Sequence, residues 1–169
     1  METRVSDQEK RTHVVNLIDG FSTAMLVTHT AAGDLRARPL TIADHDQDGR
    51  LVFSTAIESG KVDDLEHNPN VVVVMQDSRR FVSLSGWAHV DRDPALIRRL
   101  WSESWRVWFP GGQDDPSLSL LIVEPIEASY WDASGAKGLR YLYEMARGYL
   151  THTRPAADGD ERHTGHVKL

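Results

Sequence analysis

The chain of 169 residues contains no cysteine. That excludes disulfides, thiolate metal sites and cysteine nucleophiles together. No apolar run reaches the roughly 18–20 residues needed to cross a bilayer as a helix. The first residues mix charged and apolar side chains, without the basic-then-apolar order of a secretory signal, so a soluble cytoplasmic domain is expected. Excess positive charge is lacking too. Nineteen Lys and Arg stand against 25 Asp and Glu, giving a net charge of −6. A broad nucleic-acid surface is therefore not expected, although a local basic pocket remains compatible with this balance. What is present is 40% hydrophobic residues and 26% charged. That mix suffices for the core of one ordinary domain.

Ser6-Asp7-Gln8-Glu9 has the form of a capping box, and Val14, Leu17 and Ile18 follow at helical spacing, predicting a helix over 7–18. Short β-prone segments come next, at 24–28, 35–43 and 51–55, separated by turn chemistry at Gly33-Asp34 and Asp48-Gly49. A short helix is predicted over 59–67, stopped by Asn68-Pro69-Asn70. The run Val71-Val72-Val73-Val74-Met75 predicts a strand buried on both faces. A strand over 81–90 precedes Asp93-Pro94, an N-cap followed by a first-turn proline, which predicts a helix reaching Trp105. A strand over 118–131 and a helix over 137–150 complete the reading. Pro, Gly, Asp and His dominate 151–169, predicting a disordered tail behind a single domain over 1–150. Six strands in antiparallel meander order, with flanking helices, point to a mainly β chain closed as a small barrel.

Arg36 and Arg38 are two apart in a strand and share a face. Two guanidiniums beside the ladder break at Pro39 can hold a phosphate. Exposed arginine is the norm, however, and spacing alone fits two solvated side chains better. Ser54 and Thr55 end the next strand, and Ser59-Gly60-Lys61 opens the following helix, a combination suited to an anion. Ordinary capping by Ser59 with a solvated Lys61 fits equally. Neither a Walker loop nor a GxGxxG fingerprint exists. Trp101, Trp105 and Trp108 would share one helix face. Core packing explains most such clusters, yet Trp108, beside Pro110-Gly111-Gly112, is also placed to stack on a flat ligand or a partner subunit. Asp63-Asp64 reads as acids suiting a helix start, and Asp114-Asp115 as a loop pair. His152, His163 and His166 lie in the tail, where no fixed metal geometry is expected. No nucleophile–base arrangement is visible, so no catalytic residue is assigned.

In this order the segments Arg36-Ala37-Arg38-Pro39-Leu40, Leu51-Val52-Phe53-Ser54-Thr55, Lys61-Val62-Asp63-Asp64-Leu65, Asn68-Pro69-Asn70-Val71, Phe81 to Gly86 and Trp108-Phe109-Pro110-Gly111-Gly112 make the chain resemble the pyridoxamine 5'-phosphate oxidase-like flavoproteins, in particular their general stress protein branch. The resemblance implies a six-stranded antiparallel split β-barrel. It also implies a homodimer holding flavin mononucleotide (FMN) at the subunit interface, without nucleic-acid or membrane partners. Carried over, Arg38 and Lys61 would contact the phosphate with Ser54 and Thr55 nearby, and Arg36 would be a second phosphate ligand. Leu40 and Thr41 would lie along the ring and ribityl chain, and Trp108 of the other subunit would cover the ring. The arginine-rich C-terminal segment of the true oxidase has no match in 141–169, so pyridoxamine phosphate oxidation is not implied. An FMN-dependent oxidoreductase is the leading expectation. A flavin-binding or sensing protein without turnover is an alternative. Another is a binder of haem or a deazaflavin, with His29, His45, His67 or His89 as the axial ligand for haem.

Overall fold

The computed structural model describes residues 6–134 and 164–169. The predicted helix over 137–150 and the segment 151–163 lie outside the described residues. The elements run α1 (Asp7–Ile18), β1 (Thr23–His29), β2 (Leu35–His45), β3 (Leu51–Ala56), α2 (Gly60–His67), β4 (Asn70–Gln76), β5 (Arg80–Asp91), α3 (Pro94–Leu100), β6 (Leu118–Asp132) and β7 (Thr164–Lys168). Two 3₁₀ turns, Glu103–Val107 and Gly112–Asp114, lie between α3 and β6. Helix α1 starts on the capping box read from the sequence, with Ser6 and Glu9 satisfying each other's backbone N–H groups. Among the described residues no helix is long and apolar enough to cross a membrane.

All pairings are antiparallel. The sheet order is β3-β2-β1-β4-β5-β6, and β3 pairs back to β6, so six strands close into a barrel. This is the split barrel with flanking helices that the sequence predicts. Strand β6 is the longest. One edge follows β5 over nearly its whole length; the other meets β3 over Leu118 to Val123 and β7 over Glu127 to Trp131. Strand β7 thus covers the part of the β6 edge that β3 leaves bare.

That strand corrects the tail expectation. Residues Thr164–Lys168 are ordered into the sheet, Val167 is 2% exposed, and Leu169 packs on the core. A Cβ at Gly165 would stand 2.5 Å from the Tyr130 ring, so only glycine lets the two strands pack there. Gly86 has a similar role at the bulge beside Ser85, where a Cβ would run into the Glu124 carbonyl.

Two further expectations change. Strand β4 is buried on one face only: Val71, Val73 and Met75 point into the barrel, while Val72 and Val74 are half-buried outside it. The barrel wall has one interior, and among the described residues none covers the outer side of β4 fully. The helix predicted to reach Trp105 stops at Leu100. Trp101 takes an extended ψ of 132°, Ser102 starts a new turn, and Trp101, Trp105 and Trp108 do not share a helix face. Trp105 packs in a second apolar cluster with Val52, Leu120 and Ile122, outside the barrel wall, and Trp101 meets it edge to face. Trp108 is 77% exposed.

Candidate functional site

Helix α2 packs on β1 through Val62 and Leu65, both buried. Its approach decides where the β2 arginines go. Arg36 lies opposite Thr28 and Arg38 opposite Leu26. Thr28 and Leu26 are wholly buried, so the arginines start from the inner face of the wall. Arg38 then reaches α2. Its Nη2 donates to Asp64 Oδ2 at 2.8 Å, and Thr28 Oγ1 donates to the same oxygen at 2.7 Å. Asp64 is 5% exposed. Burial raises its pKa, but the bonds from Arg38 and Thr28 and the charges of Arg38 and Arg36 outweigh that and hold the carboxyl below its ordinary value. A depressed carboxylate stabilises the fold above the ordinary pKa near 3.8, and that stabilisation is lost as pH falls through the folded value.

Arg38 is not fully satisfied by this pair. Its Nη1 is buried without a hydrogen-bond partner. A buried charged donor left unmade costs about 1–3 kcal/mol or more, so such a group is a strong position for an anionic acceptor. Lys61 lies one turn before Asp64 on the same side of α2. Desolvation, and then the charge of Arg38, lower its pKa, which places the ammonium in the same basic cluster. Arg36 bends toward the start of α2: its Nη1 is 3.8 Å from where a Cβ would stand on Gly60. Ser59 occupies the N-cap without capping; its hydroxyl meets Thr55 Oγ1 at 3.2 Å instead. The first turn of α2 therefore has no side-chain cap, beside three cations and one buried carboxylate. Positive partial charge from the helix end adds to the cations.

The structure thus gathers Arg36, Arg38, Thr55, Ser59 and Lys61 around the start of α2. Ser54 is not part of that group. It follows Val52 on the outer face of β3, while buried Thr55 faces inward with Phe53. Leu40 packs against the barrel core, and Thr41 is exposed on the other face of β2. Trp108 projects from the far end of its 3₁₀ turn into solvent. Asp114 and Asp115 do not form a carboxylate pair. Asp115 accepts from Ser117 and from the Gly111 N–H and shapes its own loop, while Asp114 faces Arg98 at 4.0 Å. Two of the four histidines considered as axial ligands have other partners: His45 binds Asp19 at 2.8 Å, and His67 Nδ1 meets the Asp63 carbonyl.

Asp64 and Thr28 were missed as site residues. Asp64 sits in the second turn of α2, past the reach of the helix dipole, beside inward-facing Leu65. An acid there needs a cationic partner. Thr28 has the parity of Ala24 and Leu26, which places its hydroxyl inside.

The family model for pyridoxamine 5'-phosphate oxidase-like proteins matches residues 9–156. General stress protein 26 of Bacillus subtilis is 28% identical over 127 residues, covering 72% of this chain and 87% of the relative. A solved structure from Jannaschia sp. CCS1, described as a candidate general stress protein 26, superposes with a TM-score of 0.68 at 25% identity, covering 96% of this chain and 99% of that one. A general stress protein from Xanthomonas citri, described as FMN/FAD binding, gives a TM-score of 0.62 at 26% identity, covering 77% and 90%. The chain belongs to the pyridoxamine 5'-phosphate oxidase-like family.

Proposed function

We propose that the protein binds FMN, with the phosphate held by Arg38 and Lys61 at the start of α2 and Arg36 as a further cation. The observation that carries this reading is the buried, unpartnered Nη1 of Arg38 in a cluster where three cations meet one carboxylate. A phosphate monoester carries close to two negative charges at neutral pH and offers acceptor oxygens to such donors. The uncapped first turn and the Thr55–Ser59 hydroxyl pair supply further donors. The FMN/FAD-binding description of the Xanthomonas citri relative supports the same ligand class. When bound, the flavin would supply hydride or electron transfer, making the protein an FMN-dependent oxidoreductase in which the chain contributes capture and orientation.

The reading includes a homodimer. The outer wall exposes Met25, Phe81 and Trp131 in part, and a hollow of about 300 Å³ opens between β1, β4 and β5, lined by residues including Val27, Val72 and Ser85. Val107 and Trp108 form a second exposed apolar point. An apolar wall of this kind suits burial against a second copy. In that arrangement the other copy's loop would bring its own Trp108 over the ring.

Subunit mixing tests this. Lys61→Ala and Trp108→Ala are each expected to bind FMN weakly. After random reassortment of equal amounts, half the dimers are mixed, and each mixed dimer carries one undamaged pocket, so about one pocket in four should recover tight binding by fluorescence titration. A mixture that only averages its parents would remove Trp108 from the partner-supplied wall.

A further inference from the structure

We infer that Asp64, held by Thr28, is a positioning residue that fixes the Arg38 guanidinium so that one nitrogen is spent on the protein and the other is kept for the ligand phosphate. The inference rests on the FMN reading above and adds to it a division of labour within one side chain. Arg38 carries a planar fork with two terminal nitrogens. Nη2 is committed to Asp64 Oδ2 at 2.8 Å, and Nη1 is buried and unpartnered. An arginine without such an anchor would sample several rotamers and lose that freedom on binding, at a cost that weakens affinity. Asp64 removes the cost in advance because it is itself immobile: it is buried, it sits on a packed helix between Val62 and Leu65, and its oxygen is also tied to the wholly buried Thr28 hydroxyl.

One structural detail separates positioning from charge. Arg38 and Thr28 donate to the same carboxylate oxygen. The carbonyl of an asparagine can occupy that place and accept both bonds, so Asp64→Asn keeps the geometry and removes only the charge. Asp64→Ala removes both. If Asp64 acted by charge, it would oppose phosphate binding, and both variants would tighten it.

The test is titration of the full chain with FMN and with riboflavin, which lacks the phosphate, together with thermal melting without flavin. Asp64→Ala should weaken FMN binding by about threefold to tenfold, the range for immobilising one long side chain, and leave riboflavin unchanged. Asp64→Asn should stay within about threefold of the parent, and adding Asp64→Ala to Arg38→Ala should cost nothing further. If Asp64→Ala does not fold, Thr28→Val carries the question. It leaves an apolar group of matching shape in a buried site and should weaken FMN alone by about twofold to threefold, through a less firmly held Asp64. Tighter FMN binding in both Asp64 variants, no change in either, or an equal loss for both flavins would overturn the inference while the phosphate site stands. A parent protein that binds the two flavins equally would instead remove the phosphate site, and this inference with it.

Discussion

Arg38→Ala is expected to lower FMN affinity by about 1.5–3 kcal/mol, roughly tenfold to 150-fold, the range for a hydrogen bond to a charged group. Lys61→Ala should fall in the same range, and riboflavin should be nearly indifferent to both. The two variants should differ in stability. Removing the Arg38 guanidinium leaves Asp64 as a buried carboxylate with only Thr28 as a bonded partner. An unpaired buried charge is strongly destabilising, so Arg38→Ala should also lower the melting temperature of the unliganded protein. Lys61 makes the opposite contribution. Burial and Arg38 both disfavour its charged form, so removing it relieves that desolvation and repulsion, and Lys61→Ala should melt at or above the parent when no flavin is added. Weaker FMN binding with unchanged or greater stability is the signature of a residue placed for a ligand rather than for the fold. Equal affinity of the parent for FMN and riboflavin, or an unchanged FMN affinity in both variants, would refute the assignment.

The fold was legible because its signals are local. The capping box of α1, the turns at Gly33 and Gly49 and the Asp93-Pro94 start of α3 each specify backbone over a few residues. Antiparallel meander order then leaves few topologies for strands of this length. The failures arise where a distant partner decides. Four valines in succession look two-sided, but whether the outer face is covered depends on packing that the local pattern does not encode, and Val72 and Val74 stay half-buried. The aromatic run after Leu100 has helical spacing, yet Ser102 offers a competing N-cap and the second cluster draws Trp105 inward, so the chain turns. The candidate site was half legible. Arg36, Arg38 and Lys61 follow from strand parity and a helix start, and the ordered motifs added what parity could not. Ser54 and Thr55 read as one hydroxyl pair in the sequence, although period two must separate them. The buried Asp64 was hidden because its partners come from β1 and β2, 36 and 26 positions earlier in the chain.

The tail shows the same effect with the largest consequence for stability. Thr164-Gly165-His166-Val167-Lys168 has one strongly apolar residue and reads as solvated, yet Val167 is 2% exposed and lies opposite Ala128 in the β6 pairing. Removing residues 164–169 would expose Val167's pocket, uncover the Tyr130 ring beneath Gly165, take Leu169 off the core and withdraw the strand against which α1 packs. Burying one valine contributes about 1.5–3 kcal/mol. Leu169 and the Tyr130 contact add to this, and the backbone order no longer required for six residues subtracts. A net loss of about 2–4 kcal/mol corresponds to a fall in melting temperature of about 5–15 °C for a chain of this size. Val167→Asp places a charge in the same buried position and should cost a comparable amount without shortening the chain. Because β7 lies on the β6 edge and not beside α2, the ratio of FMN to riboflavin affinity should be unchanged at temperatures where the variants are folded. The bared β6 edge should also make the shortened protein more prone to associate through strand pairing, read by light scattering. A melting temperature within about 2 °C of the parent for both variants would mean that β7 docks without stabilising the barrel.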